Sequence, residues 1–169
     1  MNKIEMVELL SEFQPNWPQW DAPSDGVLNI WAPMFANDTP EDARKGLSVL
    51  AGKSLTPTAQ LWRRAIAHHL GLTAPNRQAA RPQVGAWQRF RQQRQFQNGS
   101  GYAPQYPDVH PSCQFFAYQY GPEEDWERGF NFEWPRFREE WQTNLAQVDF
   151  RQLLDCPDLV DFRIEMVDF

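Results

Sequence analysis

Acidic residues are missing from residues 43–107, a 65-residue stretch that carries ten Lys and Arg. Cysteine is nearly missing as well: Cys113 and Cys156 are the only two, and no CxxC pair exists. That shortage excludes a disulfide framework and a thiolate zinc site, and it points to a reducing compartment. No apolar run reaches the ~18 residues that a membrane-spanning helix needs. The opening, MNKIEMVELL, has neither the basic start nor the long apolar core of a secretory leader, so the expected location is the cytoplasm. The phosphate-cradling GxxxxGK[ST], the dinucleotide-binding GxGxxG and the nucleophile-elbow GxSxG are all absent. Histidine is scarce, at three residues. His68 and His69 are neighbours on an expected helix and point to different faces, while His110 and Cys113 supply only two ligands. Neither pair makes a metal site, and no nucleophile–base pair suggests itself. The expectation is a non-enzymatic protein without a cofactor.

The charge that is present is segregated. Residues 1–42 carry −7 and residues 43–107 carry +10. Residues 108–169 carry −9, and the chain's net charge is −6. Such asymmetry is more informative than the total. Twelve Phe and eight Trp within 41% hydrophobic content argue for a packed core rather than disorder, despite fourteen Pro. A chain of 169 residues makes one ordinary domain or two small ones.

Helical signals dominate the first seventy residues. Ile4, Met6, Val7, Leu9, Leu10 and Phe13 have helical spacing, closed by Pro15 and Pro18. Val27, Ile30, Trp31, Met34 and Phe35 supply a second apolar face, interrupted by Pro33. Thr39–Pro40 and Thr56–Pro57 each offer a hydroxyl cap followed by proline at the first helical position. These signals predict a four-helix bundle over residues 1–71. Residues 72–83, with Pro75 and Pro82, are expected to be a linker. Residues 84–169 are expected to form a basic helix followed by an acidic, aromatic-rich α+β region. Its few short strands fall at QFFAYQY, residues 114–120, and in the alternating Val160, Phe162, Ile164 and Met166. A helix there places Trp134, Phe137, Trp141, Leu145 and Val148 on one stripe, with Pro135 at its start. The predicted fold class is therefore mainly α, a helical bundle followed by an α+β region.

The segment GAWQRFRQQRQF, residues 85–96, concentrates three arginines with aromatic rings. On a helix, Val84, Trp87 and Phe90 share a sector with Arg91 and Arg94, and Arg89 lies opposite. Interleaved guanidinium and aromatic groups stack bases and hold phosphates, or anchor a protein interface. They also serve as ordinary core, with arginine stems draped over buried rings. The candidate partner-binding residues are Trp87, Phe90, Arg91 and Arg94, with Arg63 and Arg64 on the preceding helix. Glu123, Glu124, Asp125 and Glu127 are candidate docking acids, suited to imitating a phosphate backbone.

The elements of residues 3–68 carry a resemblance. KIEMVELLSEFQPNW, the Trp31- and Phe35-bearing IWAPMF, the acidic turn ANDTPEDA and LTPTAQLWRRA together resemble the N-terminal domain of the phage replicative-helicase loader/inhibitor family. The likeness covers under half the chain, and Pro33 and the aromatic C-terminal half depart from it. It implies a helical adaptor without enzymatic activity that binds a hexameric replicative helicase and delivers it to an initiator protein. The N-terminal domain would engage the initiator and the C-terminal part the helicase. Two other readings remain open: a phage inhibitor of a host nucleic-acid enzyme or defence nuclease acting by acidic DNA mimicry, and a direct single-strand binder using residues 87–94. The acidic flanks weigh against direct nucleic-acid binding. No membrane partner is expected.

Overall fold

Asn2 and Glu5 close a capping box over the first helix: the Asn2 side chain accepts from the Glu5 amide at 3.0 Å, and the Glu5 carboxylate accepts from the Asn2 amide at 2.7 Å. The computed structural model describes residues 1–96, 105–119, 125–145 and 149–155. Its α-helices, in chain order, are α1 (Lys3–Phe13), α2 (Asp25–Trp31), α3 (Pro40–Gly52), α4 (Ala59–His69), α5 (Arg77–Phe96), α6 (Pro111–Gln119), α7 (Trp126–Asn144) and α8 (Phe150–Asp155). Short 3-10 turns cover Gln14–Asn16 and Ala32–Phe35. No strand occurs among the described residues, and none of their helices is long and apolar enough to cross a membrane.

The chain divides into two units, Met1–Thr73 with Gln142–Arg151, and Ala74–Trp141 with the described residues from Gln152. In the first unit α3 and α4 pack as a hairpin, and Gly46 sets their separation. A Cβ on Gly46 would stand 2.8 Å from Ile66 Cγ1 and 3.2 Å from the Ile66 backbone nitrogen, so only glycine admits this approach. Trp62 fills the interior, donating from Nε1 to the Ala43 carbonyl at 2.8 Å and packing on Phe35 with centroids 4.6 Å apart. Helix α1 lays Met6, Leu9 and Leu10 into the same core. The Met1 ammonium donates at 2.9 Å to the carbonyls of Phe35 and Ala36, and it also bonds the Asp38 carbonyl.

This arrangement corrects the expected four-helix bundle. Pro33 ends α2 after seven residues in a 3-10 turn, and Leu28 is the only residue that α2 buries. The core rests on α1, α3, α4 and the Phe35 turn, with Leu145 and Phe150 also buried in this unit. Thr39 caps α3 as expected, accepting from the Asp42 amide at 3.1 Å. The α4 cap is Thr58, whose hydroxyl accepts from Leu61 at 3.3 Å, so Thr56–Pro57 lies before the helix.

Further corrections concern the second unit. The expected strand at 114–120 is helical from Pro111 through Gln119. Alternating aromatics favour a strand locally, but Cys113, Phe116 and Ala117 form one buried helical face. Phe116 sits among Phe130, Trp134 and Phe137 at centroid distances of 5.3–5.4 Å, and that packing overrides propensity. The expected strand around Val160 to Met166 lies outside the described residues. The linker expected at 72–83 is helical from Arg77, with Pro82 inside α5. Pro135 lies inside α7 rather than at its start. Both prolines are exposed, where water replaces the lost backbone bond.

Candidate functional site

Helix α5 turns its mixed arginine–aromatic sector inward, within the second unit. Ala80, Val84, Trp87 and Phe90 are all buried at helical spacing. Trp87 contacts Phe90, Tyr106 and Tyr118, with centroids 5.1, 6.2 and 6.3 Å away. Arg91 lies over the Tyr118 ring at 4.5 Å and donates to the Ala117 carbonyl at 2.8 Å, which Gln88 also serves at 3.0 Å. Arg94, although exposed, lies 5.8 Å from the Tyr106 ring and donates to its hydroxyl at 3.2 Å. Gly85 brings the α5 backbone against Trp126: a Cβ there would meet the ring at 3.2 Å. The sector is thus packing surface, with guanidinium groups completing an aromatic cluster.

Of the four acids set apart as docking residues, Glu123 and Glu124 lie outside the described residues. Asp125 is exposed, and Glu127 pairs with Arg81 at 3.0 Å. His110 has a structural role at the start of α6. Its Nδ1 accepts from the Ser112 amide at 3.1 Å, and its own amide donates to Gln83 Oε1 at 2.8 Å. Burial pushes the Cys113 thiol up to about 12, which keeps it protonated and unreactive at neutral pH. Among the described residues no three His, Cys, Asp or Glu side chains are grouped to hold a metal.

Arg63 and Arg64 have opposite fates. Arg63 is buried, paired with Asp38 and set 3.9 Å over the Phe150 ring. Burial raises the Asp38 carboxyl above its usual range, against the lowering pull of Arg63 and the Met1 ammonium. Arg64 is exposed and lines a concavity of about 200 Å³ in the first unit.

A surface suited to a partner lies on α1 and α2 of the first unit, at none of the candidate partner-binding residues. Ile4 is 72% exposed and Val7 40% on α1; Ile30 is 70% and Val27 38% on α2. Lys3 ties the two helices together, donating to Asn29 Oδ1 at 2.7 Å and pairing with Asp25. Ile4 and Ile30 therefore follow directly on two residues that touch. Glu8 and Asp25 are exposed on the same two helices, in the segment of the chain that carries −7. The sequence did hold a signal. At 100° per residue Met6, Leu9 and Leu10 fall within a sector of about 100°, and Ile4 lies roughly 170° from its centre.

Comparison with protein-family models, curated proteins and solved structures finds no match for this chain.

Proposed function

We propose that this protein is an adaptor that acts by protein–protein contact, with a replicative DNA helicase as its partner. The observation that carries the reading is the exposure of Ile4, Val7, Val27 and Ile30 on two helices that Lys3 bridges. Single exposed apolar residues are ordinary, whereas four on two bridged helices point to interaction surface. The acids of this segment favour a partner whose apolar anchor is flanked by Lys or Arg. The helicase itself is suggested by the likeness of residues 3–68 to the phage loader/inhibitor family; that likeness implies an initiator contact for the N-terminal domain, and the exposed apolar residues of α1 and α2 move the proposed helicase contact onto it. The arginine–aromatic sector of α5 contributes stability to the second unit rather than contact area.

A pull-down with the host's purified replicative helicase, run with and without ATP, tests the reading. Binding in either nucleotide state supports it. Absence of binding in both overturns the choice of partner.

A further inference from the structure

The concavity beside Arg64 carries chemistry that the adaptor reading does not use. Its described lining residues are Lys53, Arg64, His68, Thr73, Gln142 and Leu145, all within the first unit. Arg64 and His68 stand one helical turn apart on α4 and so share a face, and Lys53 caps the end of α3. The Thr73 hydroxyl lies 3.4 Å from His68 Nδ1; with Thr73 donating, Nε2 carries the ring proton and is itself a donor. No carboxylate is among the described lining residues, and Lys53 and Arg64 make no ion pair among the described residues. Two permanent cations, an imidazole, a hydroxyl and an amide, with Leu145, thus make up the described lining of one hollow.

We propose that this hollow binds the phosphate or diphosphate group of a small ligand. Arg supplies a planar fork matched to phosphate oxygens, and Lys supplies a compact charge. Gln142 adds a neutral donor, so with Lys53, Arg64 and His68 Nε2 the described lining offers several donors to a ligand that only accepts. A volume of about 200 Å³ is below the ~300 Å³ at which pockets begin to enclose drug-sized molecules. The site therefore takes the phosphate end of a ligand and leaves any nucleoside outside. Lys53, Arg64, His68 and Thr73 all come from the stretch without acids, so no acid near them in sequence offsets their charge. Binding an anion relieves the mutual repulsion of the cations and stabilises the folded chain.

Calorimetric titration of the full chain with pyrophosphate, and separately with ADP, at constant ionic strength tests the proposal. Saturable binding is expected, weakened at least about tenfold in a Lys53→Gln/Arg64→Gln variant, as the loss of charged hydrogen bonds implies. Tighter binding of pyrophosphate would mark a free diphosphate as the ligand, and equal or tighter binding of ADP a nucleotide; either supports the site. A wild-type chain that binds neither, or a folded variant that binds as well as wild type, overturns it. NMR of the wild-type His68 ring during the pyrophosphate titration gives a reading independent of the variant's folding. A shift that saturates with the calorimetric binding is expected, and an unmoved resonance overturns the assignment.

Discussion

Arg63 and Asp38 form an ion pair whose side chains are only 4% and 3% exposed, with the guanidinium 3.9 Å from the Phe150 ring centroid and 5.7 Å from that of Phe35. Taking both charges out of water is expensive, and the pair is tolerable because each supplies the other's counter-charge. Removing one partner is therefore worse than removing both. Arg63→Ala should cost about 3–5 kcal/mol in urea unfolding, because it strands a buried carboxylate and opens a gap under two rings. An Arg63→Met/Asp38→Leu double variant should recover a large part of that loss.

The pair also gives a pH signature. Burial raises the Asp38 carboxyl in the folded state, so the folded chain takes up a proton before the unfolded chain does. Between the raised folded value and the unfolded value of 3.8, this group's contribution to stability grows as pH falls. Asp38→Asn lacks the titration. The stability of wild type minus that of Asp38→Asn, measured by urea unfolding from pH 7 to 4, should become more positive as pH falls. A difference that shrinks would contradict the sign.

Gly46 sets the spacing of α3 and α4. Gly46→Ala places a methyl 2.8 Å from Ile66 Cγ1 in a filled core. Despite alanine's better helix propensity, the variant should lose about 1–3 kcal/mol, the range for overpacking. A stabilised variant would show that the hairpin can open without penalty.

Arg91 and Arg94 separate packing from surface. Arg91→Glu removes a donor to the Ala117 carbonyl and the stack on Tyr118, and should destabilise by about 1–3 kcal/mol. Arg94→Glu, at an exposed position, should stay under about 1 kcal/mol. Equal effects of the two substitutions, read from thermal unfolding, would contradict the inward placement of Arg91.

Cys113 offers a chemical check on the second unit's core. In a Cys156→Ala background its thiol should resist maleimide at pH 7 to 9 and react within minutes once guanidinium unfolds the chain. Fast labelling of the native protein would contradict its burial.

Local grammar made much of the fold legible. Thr39–Pro40 announced α3, and the α4 stripe of Trp62, Ala65 and Ile66 is buried as its spacing implies. What misled was tertiary. QFFAYQY has the look of a strand until Phe116 meets three rings from α7, which the local pattern cannot contain. Pro82 and Pro135 mark breaks in an isolated helix, yet both are tolerated on exposed faces. The arginine–aromatic segment resembled an interface because core and interface use the same residues; only the position of Tyr106 and Tyr118 decides between them. The exposure of Ile4 is legible from helical phase alone, since it lies opposite the Met6, Leu9 and Leu10 sector.

The most direct test of the adaptor account measures the affinity of the replicative helicase for wild-type protein and for an Ile4→Glu/Ile30→Glu variant by surface plasmon resonance. Both side chains are largely exposed, so the variant should keep wild-type thermal stability. The account predicts that it binds at least about a hundredfold more weakly, as expected when two apolar anchors become buried charges. A folded variant that binds like wild type would show that this surface is not the docking face and would contradict the account.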